Sequence, residues 1–355
     1  MPLVTFLLPT HNRADVLGYA IASVLAQTIH DFELLIVGDG CTDDTEQVVE
    51  RFQDPRISWL PFEKGPNLGY GHRNTAFRQA RGEFIAFMAH DDLICHDHLA
   101  LLLPHFEDHT IDIVHSRPVW IDPHGMLIPS TFSLRNSEQL EFFLNRRFNS
   151  IPASCFIHRR SCFERVGYWN DSLPNCGDWD YWARIIEHGG RRNFAVEYRA
   201  TCLHFRANWR TGTNVAPQEI DAWRSWPVER GEAFLDLERD SVIEEPEQAR
   251  YWRAMQSDPK RWADMLRDEI AARIDSRVSL ADALFRRLEA KGLLQECCSL
   301  AYARELEAEC ARKDAWILEL ESQCLAKERW NEKLQRDIDE LKAAINSATL
   351  KGHRE

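Results

Sequence analysis

Short apolar runs alternate with helical patterns through the first quarter of the chain, and this alternation constrains the fold more than any other sequence feature. The runs are nearly unbroken, which is typical of strands buried on both faces of a sheet. Such alternation predicts an α/β fold with a parallel sheet covered by helices on both sides. The predicted strands span residues 4–8, 32–37, 57–60 and 84–88, and a predicted helix follows each of the first three.

Polar side chains follow three of these strands at the point where each strand ends. Thr10 and His11 follow the first strand, Asp39 the second, and Asp91 and Asp92 the fourth. In parallel sheets, ligands bind beyond the carboxyl ends of the strands. Two carboxylates there would suit a hard divalent ion such as Mg²⁺ or Mn²⁺, which would carry a phosphate-bearing ligand. The alternative for this pair is an Asp-Asp turn without a ligand.

The pattern changes after the fourth strand. Asp178 and Asp180 lie at the start of a predicted helix that ends at Gly189 and Gly190. In chain order, the sequence predicts a helix at 98–106, a strand at 111–116, a hairpin at 120–126 with its turn at 122–125, a helix at 177–188 and a final strand pair at 194–205.

From about residue 218 the chain becomes helical and charged, and a heptad pattern fits residues 303–348. A sustained heptad predicts a coiled coil, and a lone amphipathic helix folded back on the domain is the alternative. Asn331 occupies a core position of the kind that sets register, whereas mostly acidic flanking positions would repel in a parallel homodimer. The sequence does not determine the partner of the coiled coil or the number of its strands. The predicted units are a strand-helix domain at 1–215, a helical extension at 216–300 and a coiled coil at 301–350.

Net charge and cysteine usage restrict the class of protein. The chain has 355 residues and a net charge of −13. A nucleic-acid-binding surface normally shows a basic excess, so nucleic acid is not an expected partner. The ten cysteines lack C-x-x-C spacing, which is typical of a reducing compartment. The sequence shows no run of the ~20 apolar residues that a spanning helix needs. We expect a cytoplasmic protein whose membrane contact, if any, is peripheral.

A series of motifs in the first part of the chain resembles glycosyltransferase family 2. The resemblance covers roughly residues 1–210. It implies the GT-A nucleotide-sugar fold, with a mostly parallel sheet flanked by helices, to which this chain adds an α-helical C-terminal region with a coiled coil. The motifs are residues 4–13, residues 32–45, Asn67-Leu68-Gly69 with Arg73-Asn74, residues 82–92, and Gly177-Asp178-Trp179-Asp180.

The resemblance implies roles for four residues on the nucleotide side. Asp39 would accept a hydrogen bond from a pyrimidine N–H or from the ribose. His11, next to Thr10, would stack on the base, and Arg73 would face the nucleotide. The residues by themselves also allow Asp39 to be a turn aspartate and Arg73 to be a surface arginine. Thr10 and His11 could likewise be loop residues that cap the following helix.

The resemblance also implies a metal site. Asp91 would contact the ribose side, Asp92 would bind Mn²⁺ or Mg²⁺, and His204 would meet the diphosphate or the metal. A histidine buried in a strand is the alternative for His204. The sequence departs from the commonest family pattern at Ala89, where an acid usually stands.

Asp178 is the candidate general base, since the matching aspartate takes the proton of the attacking hydroxyl in family members. Asp180 is the alternative base, and a helix N-cap is the structural alternative for Asp178. Gly177 stands where the family often has a glutamate, and Gly38 is a further departure.

The implied function is inverting transfer of a sugar from a UDP- or dTDP-linked donor to a hydroxyl of a glycan or lipid-linked glycan. The coiled coil would join the domain to further copies or to a partner enzyme. Two alternatives stay open. A nucleotidyltransferase also places acids and a metal at strand ends, but it usually has a Gly-rich phosphate loop, which residues 9–12 are not. The other alternative is a degenerate, non-catalytic domain that acts as a coiled-coil scaffold.

Overall fold

The structure is a computed structural model that describes residues 1–121, 127–130, 132–147, 149–205 and 245–272. The predicted hairpin turn at 122–125 and the predicted coiled coil at 301–350 lie outside the described residues. Most of the predicted helical extension at 216–300 lies outside them as well.

The first part of the chain forms the predicted series of alternating strands and helices. Every element that the apolar pattern predicted between residues 4 and 88 is present, and the bounds differ by a few residues at most. The elements are β1 Val4–Thr10, α1 Leu17–Leu25, β2 Phe32–Asp39, α2 Thr45–Glu50, β3 Ile57–Phe62, α3 Tyr70–Phe77 and β4 Phe84–Phe87.

The second part contains shorter elements, several of which the sequence pattern did not reveal. The predicted strand pair at 194–205 is wrong, because these residues form one continuous strand. The elements are β5 Leu93–Ile94, α4 His98–Leu102 with a 3₁₀ turn Leu103–Glu107, β6 Ile113–Ile121, β7 Leu127–Pro129, α5 Ser137–Leu144, a 3₁₀ turn Ala153–Cys155, β8 Phe156–Arg159, α6 Cys162–Val166, α7 Gly177–His188, β9 Phe194–Phe205, α8 Glu247–Ser257 and α9, residues 259–272.

The strands of the described residues form one mixed sheet in the order β3-β2-β1-β4-β8-β6-β9-β5, with β7 paired to β6. Strands β1 to β4 pair in parallel, as predicted. The rest of the sheet is mixed, so the expectation of a mostly parallel sheet is only partly met. Strand β6 pairs in parallel with β9, whereas β8 is antiparallel to both β4 and β6, and β5 is antiparallel to β9. Short antiparallel strands need no helical crossover, which explains why the strand-helix alternation of the sequence does not reveal them.

Strand register places the ends of β1, β2 and β4 at one edge. Thr10 pairs with Gly38, and Leu7 pairs with both Leu35 and Phe87. The residues that follow these strands therefore share the carboxyl edge of the parallel half of the sheet. This is the edge at which the sequence predicted a ligand.

A second apolar cluster joins the C-terminal helices to the sheet. Tyr251, Met255, Trp262 and Leu266 of α8 and α9 are buried together with side chains of β5, β6, β7 and β9. Residues 247–272 are helical, as predicted for this segment, and they pack directly on the strand domain. Within the described ranges, no helix combines the length and the apolar character needed to cross a membrane.

Gln27 provides a test of the packing between α1 and α4. Its side chain is fully buried; Nε2 donates to the carbonyl of Cys95 at 2.8 Å, and Oε1 accepts from the amide of Leu99 at 3.1 Å. Gln27→Ala leaves the buried amide of Leu99 without its acceptor, whereas the carbonyl of Cys95 still accepts from the amide of His98. We therefore expect the variant to lower the free energy of unfolding by about 1–3 kcal/mol in denaturant titration. Gln79→Ala, at an exposed position, should change it by less than about 0.5 kcal/mol. Equal changes for the two variants would contradict the inferred role of Gln27.

Candidate functional site

A cleft of about 390 Å³ opens at the carboxyl ends of β1 and β2. Four of the sequence-predicted residues line it, namely Thr10, His11, Asp39 and Arg73. Leu68 of the Asn67-Leu68-Gly69 motif also lines the cleft, as do Lys64 and His90, for which the sequence analysis gave no role. Residues from three strand ends and from the segment before α3 therefore meet in one place.

Asp39 lies at the end of β2 and holds the segment 64–69 against the sheet. Its carboxylate accepts a hydrogen bond from the amide of Gly65 at 2.7 Å and forms an ion pair with the ammonium group of Lys64. The His72 Nε2 atom lies 3.6 Å from Oδ1. Gly69 has a φ of 69°, and a Cβ atom there would lie 2.8 Å from the carboxylate. Asp39 is thus placed in the cleft as predicted, with basic neighbours that the sequence did not reveal.

His11 is tied to the end of β2. Its ring donates from Nδ1 to the backbone carbonyl of Asp39 at 2.7 Å. Thr10 is buried within β1. The suggestion that these residues cap the first helix is wrong, because α1 begins at Leu17 and no side chain caps it. The exposed ring of His11 forms one wall of the cleft.

Arg73, in the first turn of α3, lies on two aromatic rings. Its guanidinium carbon is 4.9 Å from the ring centroid of Tyr70 and 5.1 Å from that of Trp169, and Nη2 donates to the carbonyl of Leu68 at 2.9 Å. Burial lowers the pKa of Arg73, whereas the charges of Asp178 and Asp39 act to raise it. The guanidinium is packed on two rings and bonded to the backbone, which makes a purely surface role for Arg73 wrong.

Tyr70 links α3 to the start of α7. Its hydroxyl accepts a hydrogen bond from the amide of Gly177 at 2.9 Å. A Cβ atom at Gly177 would lie only 2.8 Å from the Tyr70 ring, so this ring occupies the space that a side chain would need. This contact explains why a glycine stands where the family often has a glutamate. Burial, with a smaller contribution from the charge of Asp178, raises the pKa of Tyr70 to about 12, so its hydroxyl is protonated at neutral pH.

Asp178 is the second residue of α7 and is half-buried. The N-cap position belongs to Cys176, which has a φ of 55° and provides no side-chain cap, so the N-cap alternative for Asp178 is wrong. The Oδ1 atom of Asp178 accepts a hydrogen bond from the amide of Trp179 at 2.8 Å. Asp180, the alternative base, is bound to Arg184 at 2.9 Å and lies 3.4 Å from Arg146, in a separate ion-pair group.

Asp91 and Asp92 follow β4 and are completely buried. His204 of β9 donates from Nδ1 to Asp92 Oδ1 at 2.8 Å. The hydroxyl of Ser154 donates to Asp92 Oδ2 at 2.5 Å and accepts from the amide of Ala89 at 2.9 Å. Ser154, which the sequence pattern did not reveal, therefore bridges Asp92 and the position where the family usually has an acid.

The donor atoms at this end of the site are of the types that a hard divalent ion accepts, and both Asp92 oxygens already bond to side chains of the protein. Carboxylate oxygens with one imidazole nitrogen suit Mn²⁺ or Mg²⁺. A histidine whose Nδ1–H is held by a carboxylate presents Nε2 as a ligand. Among the described residues, no group of three or more His, Cys, Asp and Glu side chains is arranged to hold a metal by itself. An ion held here would need to take further ligands from phosphate oxygens and water, as Mg²⁺ commonly does.

Comparison with known families agrees with this geometry. The family model "Glycosyl transferase family 2" matches residues 5–167, a range that includes β1 to β8 and the cleft. This part of the chain is a glycosyltransferase family 2 domain.

Curated relatives carry related names. An uncharacterized glycosyltransferase of Rickettsia typhi is 28% identical over 194 residues, which cover 52% of this chain and 59% of the relative. The Escherichia coli UDP-Glc:alpha-D-GlcNAc-diphosphoundecaprenol beta-1,3-glucosyltransferase WfgD is 40% identical over 91 residues, covering 26% of this chain and 36% of that enzyme. The chain thus spans less than two thirds of these relatives.

A solved structure of similar size is that of S. aureus TarS 1-349 in complex with UDP-GlcNAc. It is 18% identical, with a TM-score of 0.49, and the match covers 94% of this chain and 92% of that chain.

Gly177 provides a test of the contact between α3 and α7. Gly177→Ala would place a methyl group against the buried Tyr70 ring, so we expect a loss of about 1–3 kcal/mol in the free energy of unfolding, measured by denaturant titration. Gly71→Ala is the matched control. Gly71 lies in α3, and a Cβ atom there would meet only the Asp171 carboxylate, at 3.8 Å, which is an ordinary contact distance. A helical glycine replaced by alanine without a clash should gain up to about 1 kcal/mol. Equal losses at both positions would refute the proposed contact.

Proposed function

We propose that this chain transfers a sugar, with inversion, from a UDP- or dTDP-linked donor to a hydroxyl of a glycan or lipid-linked glycan. The observation that carries the proposal is the position of Arg73. Arg73 lines the cleft that contains Asp39 and His11, and its guanidinium stacks on Tyr70, whose hydroxyl binds the amide of Gly177 next to Asp178. Arg73 and Tyr70 thus connect the predicted nucleotide side of the cleft with the start of α7, which carries the proposed base.

The nucleotide would lie at the ends of β1 and β2. The exposed ring of His11 offers a flat surface for a base. Asp39 already accepts from Gly65 and Lys64, but a carboxylate has about four lone-pair sites, so a pyrimidine N–H or a ribose hydroxyl can still bind. The ammonium of Lys64 and the guanidinium of Arg73 would offset the negative charge of the diphosphate.

Asp91, Asp92 and His204 would hold Mn²⁺ or Mg²⁺ at the diphosphate. The ion, when bound, would neutralise charge on the departing group. The chain's own contribution is to keep the carboxylate of Asp92 fixed between His204 and Ser154, so that little reorganisation accompanies binding.

Asp178 would act as the general base. Its carboxylate would accept the proton of the acceptor hydroxyl as that oxygen bonds to the anomeric carbon. The bond from the anomeric carbon to the diphosphate breaks in the same step, and its electron pair leaves with the nucleotide. One displacement of this kind inverts the configuration. The bond between Tyr70 and Gly177 fixes the start of α7, which carries Asp178.

The names of the relatives support a lipid-linked glycan as the acceptor class. One relative, 35% identical over 108 residues, is the GalNAc(5)-diNAcBac-PP-undecaprenol beta-1,3-glucosyltransferase of Campylobacter jejuni, and the E. coli relative also bears the name of an undecaprenol-linked acceptor. An acceptor of this kind would bring a cytoplasmic enzyme to the membrane surface.

Replacing the base should remove transfer and leave donor binding intact. We expect Asp178→Asn to lower kcat for sugar transfer by about 10²- to 10⁴-fold, because an amide cannot accept the proton of the acceptor hydroxyl as the carboxylate does. The dissociation constant for UDP with Mn²⁺, measured by calorimetry, should stay within about threefold. Asp180→Asn is the matched control; its carboxylate belongs to a surface ion-pair group, so most activity should remain. Full activity in Asp178→Asn would rule out Asp178 as the base.

Nucleotide specificity can be measured without knowledge of the sugar. We expect UDP or dTDP with Mn²⁺ to raise the melting temperature, because a ligand that binds only the folded state stabilises it. The rise in melting temperature should be smaller after addition of EDTA and in the variants Asp92→Asn and Asp39→Asn. GDP with Mn²⁺ should raise the melting temperature less than UDP or dTDP does. No shift with any nucleotide would favour the scaffold alternative. A shift with nucleoside triphosphates alone would favour a nucleotidyltransferase.

A further inference from the structure

Helices α8 and α9 lie beyond the residues that match the family model, yet they bind the segment that contains Asp91 and Asp92. This segment, residues 88–97, connects β4 to α4. Backbone bonds anchor it on both sides of the two acids, from Met88 to Leu7 at 2.9 Å on one side and, on the other, through the pairing of β5 with β9 and from Cys95 to Thr201 at 2.9 Å. The two acids lie between these anchors, where side chains from other elements provide further bonds.

Gln248 of α8 binds the backbone of the first acid. Its side chain is buried, and Nε2 donates to the carbonyl of Asp91 at 3.0 Å. The bond reaches across 157 positions of sequence. Together with Ser154, which holds the Asp92 side chain from the other side, Gln248 restricts the peptide between the two acids.

Arg267 of α9 binds the other end of the segment. Its two terminal nitrogens donate to the carboxylate of Asp97 at 2.8 and 2.7 Å, and Nε donates to the carbonyl of Ala200 at 3.1 Å. Ala200 belongs to β9, the strand that carries His204. A planar guanidinium with two parallel bonds fixes its partner in orientation as well as in distance. Arg267 therefore ties the end of the segment to the strand that provides the histidine.

We propose that Gln248 and Arg267 are positioning residues that hold the segment 88–97, and with it Asp91 and Asp92, in the geometry that binds the metal and the diphosphate. The C-terminal helices then complete the donor site from outside the family-matched domain. The apolar cluster of Tyr251, Met255 and Leu266 keeps both residues in place. The link to metal binding rests on the function proposed above, whereas the link to the geometry of the segment does not.

The test uses the full chain with Gln248→Ala and Arg267→Met, and each variant has a control on the same helix. The controls are Gln256→Ala and Arg261→Met, whose side chains are exposed. Hydrogen exchange measured by mass spectrometry reports on the peptide that covers residues 88–97. Mn²⁺ binding in the presence of UDP, followed by the loss of the free-ion signal in electron paramagnetic resonance, reports on the site. Arg267→Lys keeps the charge without the two-pronged geometry and serves if Arg267→Met does not fold.

We expect faster exchange of residues 88–97 and about tenfold weaker Mn²⁺ affinity in the two variants, with wild-type values in the controls. Wild-type exchange and wild-type Mn²⁺ affinity in both variants would overturn the proposal. If the wild-type chain with UDP binds no Mn²⁺, the metal dependence in the proposed function is wrong. In that case, faster exchange of residues 88–97 in the variants still supports the positioning role of Gln248 and Arg267, and unchanged exchange overturns that role.

Discussion

The parallel pairing of β1 with β2 on one side and with β4 on the other is the constraint on which the rest of the structure depends. The register fixes Thr10 opposite Gly38 and Leu7 opposite Phe87, so the strands end at one edge. Their interior residues are buried on both faces, and a shift by one residue would reverse every side chain. The apolar core thereby determines where the polar residues beyond the strands meet.

Polar side chains from distant elements then give that edge its geometry. Asp39 binds Lys64 and Gly65, Asp92 lies between Ser154 and His204, and Tyr70 holds the start of α7. A buried carboxylate is tolerated only when partners satisfy it, so each of these acids is fixed by the groups around it. One of these partners accounts for a departure from the family pattern, because the Tyr70 ring fills the space beside Gly177. At another departure, Ala89, Ser154 binds the backbone amide.

The sequence could predict the parallel half of the sheet and the cleft residues Thr10, His11, Asp39 and Arg73. It failed where strands are short or antiparallel. Strand β5 spans only two residues, β8 has only two apolar residues before a histidine and an arginine, and β9 is one strand although its residues suggested two. The helix-capping roles weighed for Thr10, His11 and Asp178 failed because capping depends on the local backbone, which residue type alone does not specify.

The sequence by itself determined the α/β class, the parallel strands β1 to β4 and the acids that follow them, because these depend on short-range apolar patterns. Only the tertiary structure decided which groups surround the acids. Ser154 and His204 reach Asp92 across 62 and 112 positions, Tyr70 reaches Gly177 across 107, and Gln248 reaches Asp91 across 157. Such contacts follow from the strand order and from the packing of α8 and α9 on the sheet. Apart from His204, which the family resemblance suggested, these partners carry no signal in the local sequence, because each is an ordinary polar residue until the fold brings it to the site.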